Sequence, residues 1–399
     1  MKILRRIVIG LLGLVIIGVI VVKVFVGAIN VPVISKTVDQ NSLAARVQLP
    51  PGFQLSVFAK DIPGPRVLRF THNGDLMVSV PGHDEVLLLY SDMKNNQAVN
   101  SKVLLDKKII ADFKDPNGID FYQDAQQRDW LYVAESNAIG RIQFDHIKGE
   151  VIGNYQRIIT NLPGGGNHWK KTLRFGADGL LYVTLGSSCN ACIEEDKRRA
   201  TMMRFKPDGS SAETYATGLR NSEGFDWNNA GELYATDNGR DLLGDDFPPC
   251  EFNKIEQGKF YGWPFANGDR IIDPDNGKGH EADIANSVAP AHGFHAHNAP
   301  LGMTFIHHAH VPVEYQQAAL VALHGSWNRS KKDGYKVVSL QWQADGSIIE
   351  KDFVSGFLKD DNVIGRPVDV TEGPDGAIYI SDDFAGAIYR VEYHGEISP

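Results

Sequence analysis

The residues best suited to chemistry lie between Thr217 and Pro264, where TGLRNSEGFDW, ELYATDNGRDLLGDD and YGWP crowd arginines and aspartates into turns around a short strand. Arg220, Asp237, Arg240, Asp241, Asp245 and Asp246 supply charge. Gly224, Gly231, Gly239 and Gly244 supply backbone freedom for tight turns or close approach to a ligand. Forked guanidinium donors beside carboxylates and glycine-framed carbonyls suit a polyanionic small molecule held together with a hard cation. The plain alternative is a solvated, salt-bridged surface loop. What decides between the two is whether the rest of the chain gathers such loops in one place and brings a base to them.

The elements that would do so are short apolar strands recurring after polar turns: Leu76-Met77-Val78, Leu131-Tyr132-Val133, Leu181-Tyr182-Val183, Leu233-Tyr234-Ala235, the weaker Leu320-Val321-Ala322, and Ile378-Tyr379-Ile380. Asn-Gly and Asp-Gly dipeptides before several of them are hairpin signals, and the β-branched and aromatic residues are strand formers. Their centres are 50 to 58 residues apart, with one gap of 87 between Tyr234 and Val321. A period near fifty, with four short strands per unit, specifies a β-propeller. Residues 45 to 395 divide into six blades, and an insertion at roughly 240 to 300 accounts for the long gap.

A propeller gathers its loops at the mouths of a central channel. The segments following these strands carry NLPGGGNHWKK (161 to 171), Arg220-Asn221, Asp237 to Asp241, HGSWNR (324 to 329) and GRPVD (365 to 369). All five of these segments hold an Arg or a His, which is unusual for ordinary surface loops.

With the phrases LPPGFQLSVFA, NHWKKTLRFGADGLLYVTLGSSCNAC, TGLRN, ATDNGRD, YGWP, HGSWNRS, GYKVV and GRPVDVTEGPDGAIYISDD, the chain resembles the sorbosone and aldose dehydrogenase family of pyrroloquinoline quinone (PQQ) enzymes. The resemblance runs through residues 45 to 395 and implies an all-β, six-bladed propeller, in agreement with the strand count. Residue by residue, it implies that His168 is the catalytic base and that Arg220 and Asn221 contact the quinone. Gly239 and Arg240 match a calcium site made of backbone carbonyls, Arg366 matches an arginine on a PQQ carboxylate, and Arg66 a further cofactor arginine. His324, Trp327 and Arg329 lie in the HGSWNR phrase shared with the sorbosone-type and pyranose-type branches. Soluble glucose dehydrogenases instead have a lysine near that phrase and a second arginine where this chain has Val368, departures that point away from glucose as substrate.

The chemistry behind those roles is general. Arginines neutralise and orient carboxylates through forked hydrogen bonds. A Ca²⁺ held by carbonyl oxygens polarises a quinone carbonyl. A neutral histidine removes a hydroxyl proton as hydride leaves the same carbon. The expected activity is oxidation of a sugar, sugar aldehyde or related alcohol. Two other classes compete with it: a calcium-dependent propeller hydrolase of the lactonase type, whose metal ligands are chiefly side-chain carboxylates and amides and which has no need for several arginines, and a non-enzymatic, membrane-anchored binding propeller.

At 399 residues and 43% hydrophobic, the chain has enough apolar material for one large β domain or two ordinary ones, and the unbroken strand period favours one. A net charge of −9 argues against a nucleic-acid partner. Lys2, Arg5 and Arg6 precede an apolar run from Ile7 to Val22 that passes Lys23 and continues to Ile29. As a helix this would span about 30 Å, the thickness of a hydrocarbon core. The positive-inside rule keeps the N-terminus in the cytoplasm and exports the rest. The favoured expectation is a single transmembrane helix over 1 to 29, a linker over 30 to 44, and a catalytic propeller over 45 to 399 on the periplasmic side of the inner membrane. A cleaved signal peptide is the rival. Ubiquinone or a periplasmic cytochrome is then the expected electron acceptor.

Three cysteines in an exported chain allow one disulfide. Cys189-Asn190-Ala191-Cys192 favours a local bridge, and pairing of either cysteine with Cys250 stays open. His292, His295, His297, His307, His308 and His310 invite a metal reading, but their spacing matches no zinc motif, so a loop lining the substrate side is preferred. Lys170 and Lys171 read as solvated.

Overall fold

A computed structural model describes residues 37, 40–92, 95–308 and 310–395. The chain enters through helix α1 (Gln40–Arg46) and strand β1 (Phe53–Ala59), then builds five consecutive four-stranded antiparallel sheets. The first holds β2 (Leu68–Phe70), β3 (Leu76–Val80), β4 (Glu85–Asp92) and β5 (Gln97–Leu105). The second holds β6 (Ile119–Gln123), β7 (Asp129–Ala134), β8 (Ile139–Asp145) and β9 (Glu150–Ile159), and the third β10 (Leu173–Phe175), β11 (Leu181–Leu185), β12 (Thr201–Phe205) and β13 (Glu213–Thr217). In the fourth, β14 (Phe225–Trp227), β15 (Leu233–Asp237) and β16 (Cys250–Ile255) are followed by hairpin β17 (Ala266–Asn267) and β18 (Ile271–Ile272), helix α2 (Glu281–Asn286) and outer strand β19 (His292–Phe294). The fifth holds β20 (Pro300–Phe305), β21 (Ala319–Leu323), β22 (Lys336–Trp342) and β23 (Ile348–Val354). After the small hairpin β24 (Leu358–Lys359) and β25 (Asn362–Val363), the sixth holds β26 (Pro367–Glu372), β27 (Ile378–Asp382) and β28 (Ala387–Tyr393).

The sixth sheet takes its outer strand from the start of the chain: β1 pairs antiparallel with β28, Phe53 opposite Tyr393 and Val57 opposite Tyr389. This closes the ring, so the fold is a six-bladed propeller. Every repeated strand read from the sequence is the second strand of its blade. Those strands are buried almost throughout because a blade is covered on both faces by its neighbours, which is why they read as apolar runs and not as alternation. Outer strands such as β5 and β9 face solvent and are mostly exposed.

The axis is closed by charge. Asp120, Asp226 and Asp369, on the inner strands of alternate blades, each accept a backbone N–H from the next blade: Phe175 at 2.8 Å, Phe305 at 3.0 Å and Leu68 at 2.9 Å. Arg174 meets Asp226 at 2.7 Å, and Arg69 lies between Asp369 (3.6 Å) and Asp120 (3.9 Å). The axial cavity has a volume of about 20 Å³, room for a water and not for a cofactor. Any larger ligand has to bind at a mouth.

Two sequence expectations change. Residues 40 to 44 of the expected linker belong to α1, whose Leu43 is buried in a cluster with Tyr315, Phe353 and Phe357, because its apolar face covers the seam beside the closing strand. The insertion is narrower than 240 to 300: β16 and β19 inside that range complete the fourth blade, and the extra chain lies between them. The expected membrane helix over 1 to 29 falls outside the described residues, among which no helix is long and apolar enough to cross a membrane.

Candidate active site

In every blade the connection leading into the first strand and the loop between the second and third strands open at the same end of the axis. Arg66, His168, Arg220, Asn221 and Arg366 lie in connections of the first kind, and Gly239, Arg240, His324, Trp327 and Arg329 in loops of the second. Propeller topology therefore brings every candidate residue read from the sequence to one mouth.

His168 precedes β10 and packs against the loop after β11. Its backbone N–H donates to Ser187 O at 3.2 Å, and its Nδ1 faces Ser187 O at 3.1 Å and Ser187 Oγ at 2.8 Å. Ser187 Oγ donates its own proton to Cys189 O at 2.8 Å, so both groups facing Nδ1 are acceptors. Nδ1 must then carry the hydrogen, which leaves the lone pair on Nε2. Burial, then the nearby Arg220 charge, lowers the His168 pKa to about 4. The ring is a neutral base at physiological pH. Gly186 permits this packing: a Cβ there would lie 2.5 Å from His168 Cβ and 2.8 Å from Asn221 Oδ1, so the base and Asn221 close on either side of it.

Arg220 is buried and commits all its donors to protein acceptors. Nε donates to Asn190 O at 2.8 Å, Nη1 to Asn238 O (3.1 Å) and Gly239 O (3.0 Å), and Nη2 to Asn190 Oδ1 (2.9 Å) and Asp241 Oδ2 (3.1 Å). Its influence on a ligand is through its charge and the loop it holds. Asp237 accepts the backbone N–H groups of Arg220 (2.8 Å) and Asn221 (2.6 Å), yet its burial raises its pKa to about 7. The Arg240 side chain turns away from the mouth to Asp273 (2.7 Å) and Asp275 (2.8 Å), which ties the fourth-blade insertion to this loop. Arg240 can therefore face the mouth only through its carbonyl, and that oxygen accepts no hydrogen bond among the described residues. Nearby, Asn238 Oδ1 is buried without a donor. Such unmatched oxygens fit a hard cation.

A second charged group was missed from the sequence. Asp383, just after β27, receives Arg66 Nη1 at 3.3 Å, Arg366 Nε at 2.7 Å and His324 Nε2 at 3.1 Å. Burial pushes its carboxyl up, but His324, Arg366 and Arg66 outweigh that and hold it far below the usual range. Burial lowers the His324 pKa to about 4. Arg66 also reaches Glu223 at 2.8 Å. Arg366 is the least committed arginine of the mouth: among the described residues only its Nε has a partner, which leaves its terminal fork open, and the side chain is 30% exposed. That fork fits a ligand carboxylate. Asp383 holds the same post-strand position as Asn238 and His324, a signal that comparison of the blades could have used.

Trp327 is 45% exposed at the rim. Leu242 beside it is held at φ +71, its N–H donating to Asn328 Oδ1 at 2.8 Å. Arg329 pins two loops together through Asp245 O (2.5 Å), Ala296 O (3.3 Å) and Asp246 (2.9 Å). Cys189 and Cys192 form the local disulfide, and Cys250 is free and buried. Lys171 is not solvated: it is 2% exposed, and its Nζ donates to Ser136 O, Pro163 O (3.0 Å) and Trp169 O (3.1 Å), because the loop carrying His168 wraps around it. Lys170 is half-buried over the Trp169 ring. The histidine-rich stretch does not converge. His295 and His297 are at this mouth, whereas His307 and His308 follow β20 at the opposite end and bind Asn229 and Glu372.

Fold and site together define a propeller with a neutral base, an arginine fork without a partner among the described residues, and two unmatched oxygens, Arg240 O and Asn238 Oδ1, at one mouth. The sequence pattern of the family described as Glucose / Sorbosone dehydrogenase matches residues 63–390. The chain belongs to that family of sugar dehydrogenases, which makes it an oxidoreductase by class. It is 29% identical over 378 residues to an uncharacterized protein of Borreliella burgdorferi, covering 90% of this chain and 94% of that one. It is 26% identical over 277 residues to the aldose sugar dehydrogenase YliI of Escherichia coli K12, covering 63% of this chain and 67% of that one. The PQQ domain of Coprinopsis cinerea pyranose dehydrogenase, solved in its holo form, superposes with a TM-score of 0.73 at 21% identity, over 87% of this chain and 97% of that domain. At that identity the superposition speaks for the fold.

Proposed function

We propose that this protein oxidises a sugar, sugar aldehyde or related alcohol by hydride transfer to PQQ held with Ca²⁺ at the mouth. The observation that carries the reading is His168: a buried, neutral imidazole whose tautomer is set by Ser187, with its free lone pair at the cation-lined mouth. The holo PQQ domain of the fungal pyranose dehydrogenase and the aldose sugar dehydrogenase of E. coli support the same choice.

Arg366, with Arg66 beside it, would hold the cofactor carboxylates. The carbonyls of Gly239 and Arg240 would hold the cation, and Asn221 and the charge of Arg220 would face the quinone edge. When bound, the cofactor supplies the hydride acceptor. His168 Nε2 removes the hydroxyl proton of the substrate as hydride leaves its carbon, and Ser187 and Cys189 O stabilise the imidazolium through Nδ1–H. Trp327 and Leu242 offer an apolar face to a sugar ring. His324, held by Asp383, and Arg329 shape the rim. A lactonase-type metal site is disfavoured because Asp241, Glu223 and Asp383 are already committed to arginines.

Export by residues 1 to 29 would place the domain on the periplasmic face of the inner membrane, with ubiquinone or a cytochrome as acceptor. This part rests on the sequence alone.

The test is titration of apo-protein with PQQ and Ca²⁺, followed by rapid mixing with aldoses, aldehydes and alcohols. His168→Ala should bind PQQ normally and reduce it about 10² to 10⁴-fold more slowly. Reduction at the wild-type rate would remove His168 as the base.

A further inference from the structure

We infer that the Cys189–Cys192 ring is a positioning device for the mouth, and that it acts through Ser187 on His168 and through Asn190 on Arg220. The inference rests on the proposed dehydrogenase reading for its kinetic consequence, but its geometry stands independently.

Residues 187 to 194 form the loop after β11. The disulfide closes a ring around Asn190 and Ala191, so the carbonyl of Cys189 and the whole of Asn190 belong to one small covalent cycle. Cys189 O accepts the Ser187 hydroxyl proton at 2.8 Å, and this removes the only hydrogen that could compete for His168 Nδ1. Asn190 works on the other side of the ring. Its O and Oδ1 accept Arg220 Nε (2.8 Å) and Nη2 (2.9 Å), its Oδ1 also accepts Asp241 N–H (2.8 Å), and its Nδ2 donates to Asp241 O (3.0 Å). One cycle therefore presents three oxygens that set a tautomer and aim a guanidinium.

The anchoring outside the ring is confined to Ser187 and Ser188. Ser188 N and Oγ are held by Glu194 at 2.6 and 2.8 Å and its O accepts Asn167 N–H at 2.9 Å, while Ser187 N donates to Arg220 O at 2.8 Å and its O accepts His168 N–H at 3.2 Å. Opening the S–S bond leaves Cys189 O and Asn190 on a partly exposed loop whose alternatives are no longer restricted. Both cysteines are partly exposed and within reach of a small reductant, while Cys250 is 1% exposed. A dithiol such as dithiothreitol would break the one S–S bond, place a proton on each sulfur and itself become a cyclic disulfide. Ser187 and Asn190 are positioning residues in this scheme, and the ring couples the state of the thiols to the geometry of the base.

The experiment compares wild type, dithiothreitol-treated wild type, Cys189→Ser/Cys192→Ser, Asn190→Leu and Asn190→Asp. The first readout is ¹⁵N NMR of labelled histidine without cofactor, with His168 assigned by its loss in His168→Gln. Wild type should show the Nδ1–H form, and both opened-ring samples a mixture with Nε2–H. The second is the PQQ dissociation constant, expected to rise about tenfold on ring opening and in Asn190→Leu, the scale of one charge-assisted hydrogen bond. Asn190→Asp, which keeps both acceptors, should stay within about threefold of wild type on the same scale. An unchanged His168 tautomer together with an unchanged PQQ constant after ring opening would reduce the disulfide to a staple of the fold and overturn the inference. Absence of PQQ binding in wild type, with the tautomer still responding to the ring, would sink the dehydrogenase reading and uphold the positioning role. If the double serine variant does not fold, the reductant-treated native protein and Asn190→Leu decide.

Discussion

Replacing Lys171 with Met should change how stability depends on pH, and the size of the change follows from the burial of one ammonium group. Lys171 is 2% exposed and has three carbonyls and no carboxylate among its hydrogen-bond partners. Burial first, then the charges of Arg199 and Arg198, lowers its pKa from 10.5 to about 7. The unfolded chain keeps this proton up to the ordinary lysine range, while the folded protein releases it near neutrality. Between those limits the unfolded state binds more protons, so stability rises with pH. From pH 7 to pH 9 the gain is about 2 kcal/mol for a shift of this size. Methionine removes the titration and the slope with it. It also leaves three carbonyls without a donor, at about 1–3 kcal/mol for each that water cannot reach. Against this, it removes the burial of a cation, worth about 4 kcal/mol at pH 7 by the same linkage. The two effects offset one another near neutrality, so Lys171→Met should be close to wild type at pH 7 and about 2 kcal/mol less stable at pH 9. Urea unfolding followed by tryptophan fluorescence at pH 7, 8 and 9 measures this directly. Parallel profiles for the two proteins would show that the ammonium titrates like a solvated lysine, and the account of the loop would be wrong.

The arginines should separate by role. Arg366→Ala should weaken PQQ binding by about 1.5–3 kcal/mol with little change in melting temperature, because its fork has no partner among the described residues. Arg220→Ala should lower stability by about 3–5 kcal/mol, since it strips five donors from a buried network and leaves Asp241 without its guanidinium. Equal effects of the two changes on melting would contradict this division. Arg240→Ala should keep calcium affinity, which rests on main-chain oxygens, but expose residues 256 to 291 to proteolysis by freeing Asp273 and Asp275; lost calcium with an intact insertion would reverse that assignment. On the acid side, His146, His168 and His324 are each lowered to about 4, chiefly by burial. The unfolded histidines protonate near 6.5 and the folded ones only near 4, so stability should fall as pH drops through that window, before most carboxylates titrate. Melting temperatures that stay flat from pH 6.5 to 4.5 would rule it out.

What the sequence by itself determined is the repeated unit. A strand covered on both faces has to be apolar along its whole length, and a tight hairpin before it needs glycine or asparagine, so each second strand was legible from a handful of neighbouring residues. The same local logic placed His168, Arg220, Arg366 and the HGSWNR phrase just outside strands, and a propeller puts such positions at a mouth. The pairing of charges was not legible, because it depends on closure of the ring. Arg66 and Asp383 are 317 positions apart and meet at 3.3 Å only because β1 completes the last blade. Lys171 looked solvated because its acceptors are main-chain carbonyls of its own loop and of the loop at Ser136, and a carbonyl carries no side-chain signature. Residues 40 to 44 looked like linker because the burial of Leu43 is supplied by the closing seam and not by the pattern of its neighbours. Only the tertiary structure decided which of the arginines at the mouth is left free for a ligand, since that depends on which carboxylates from other blades reach each one first.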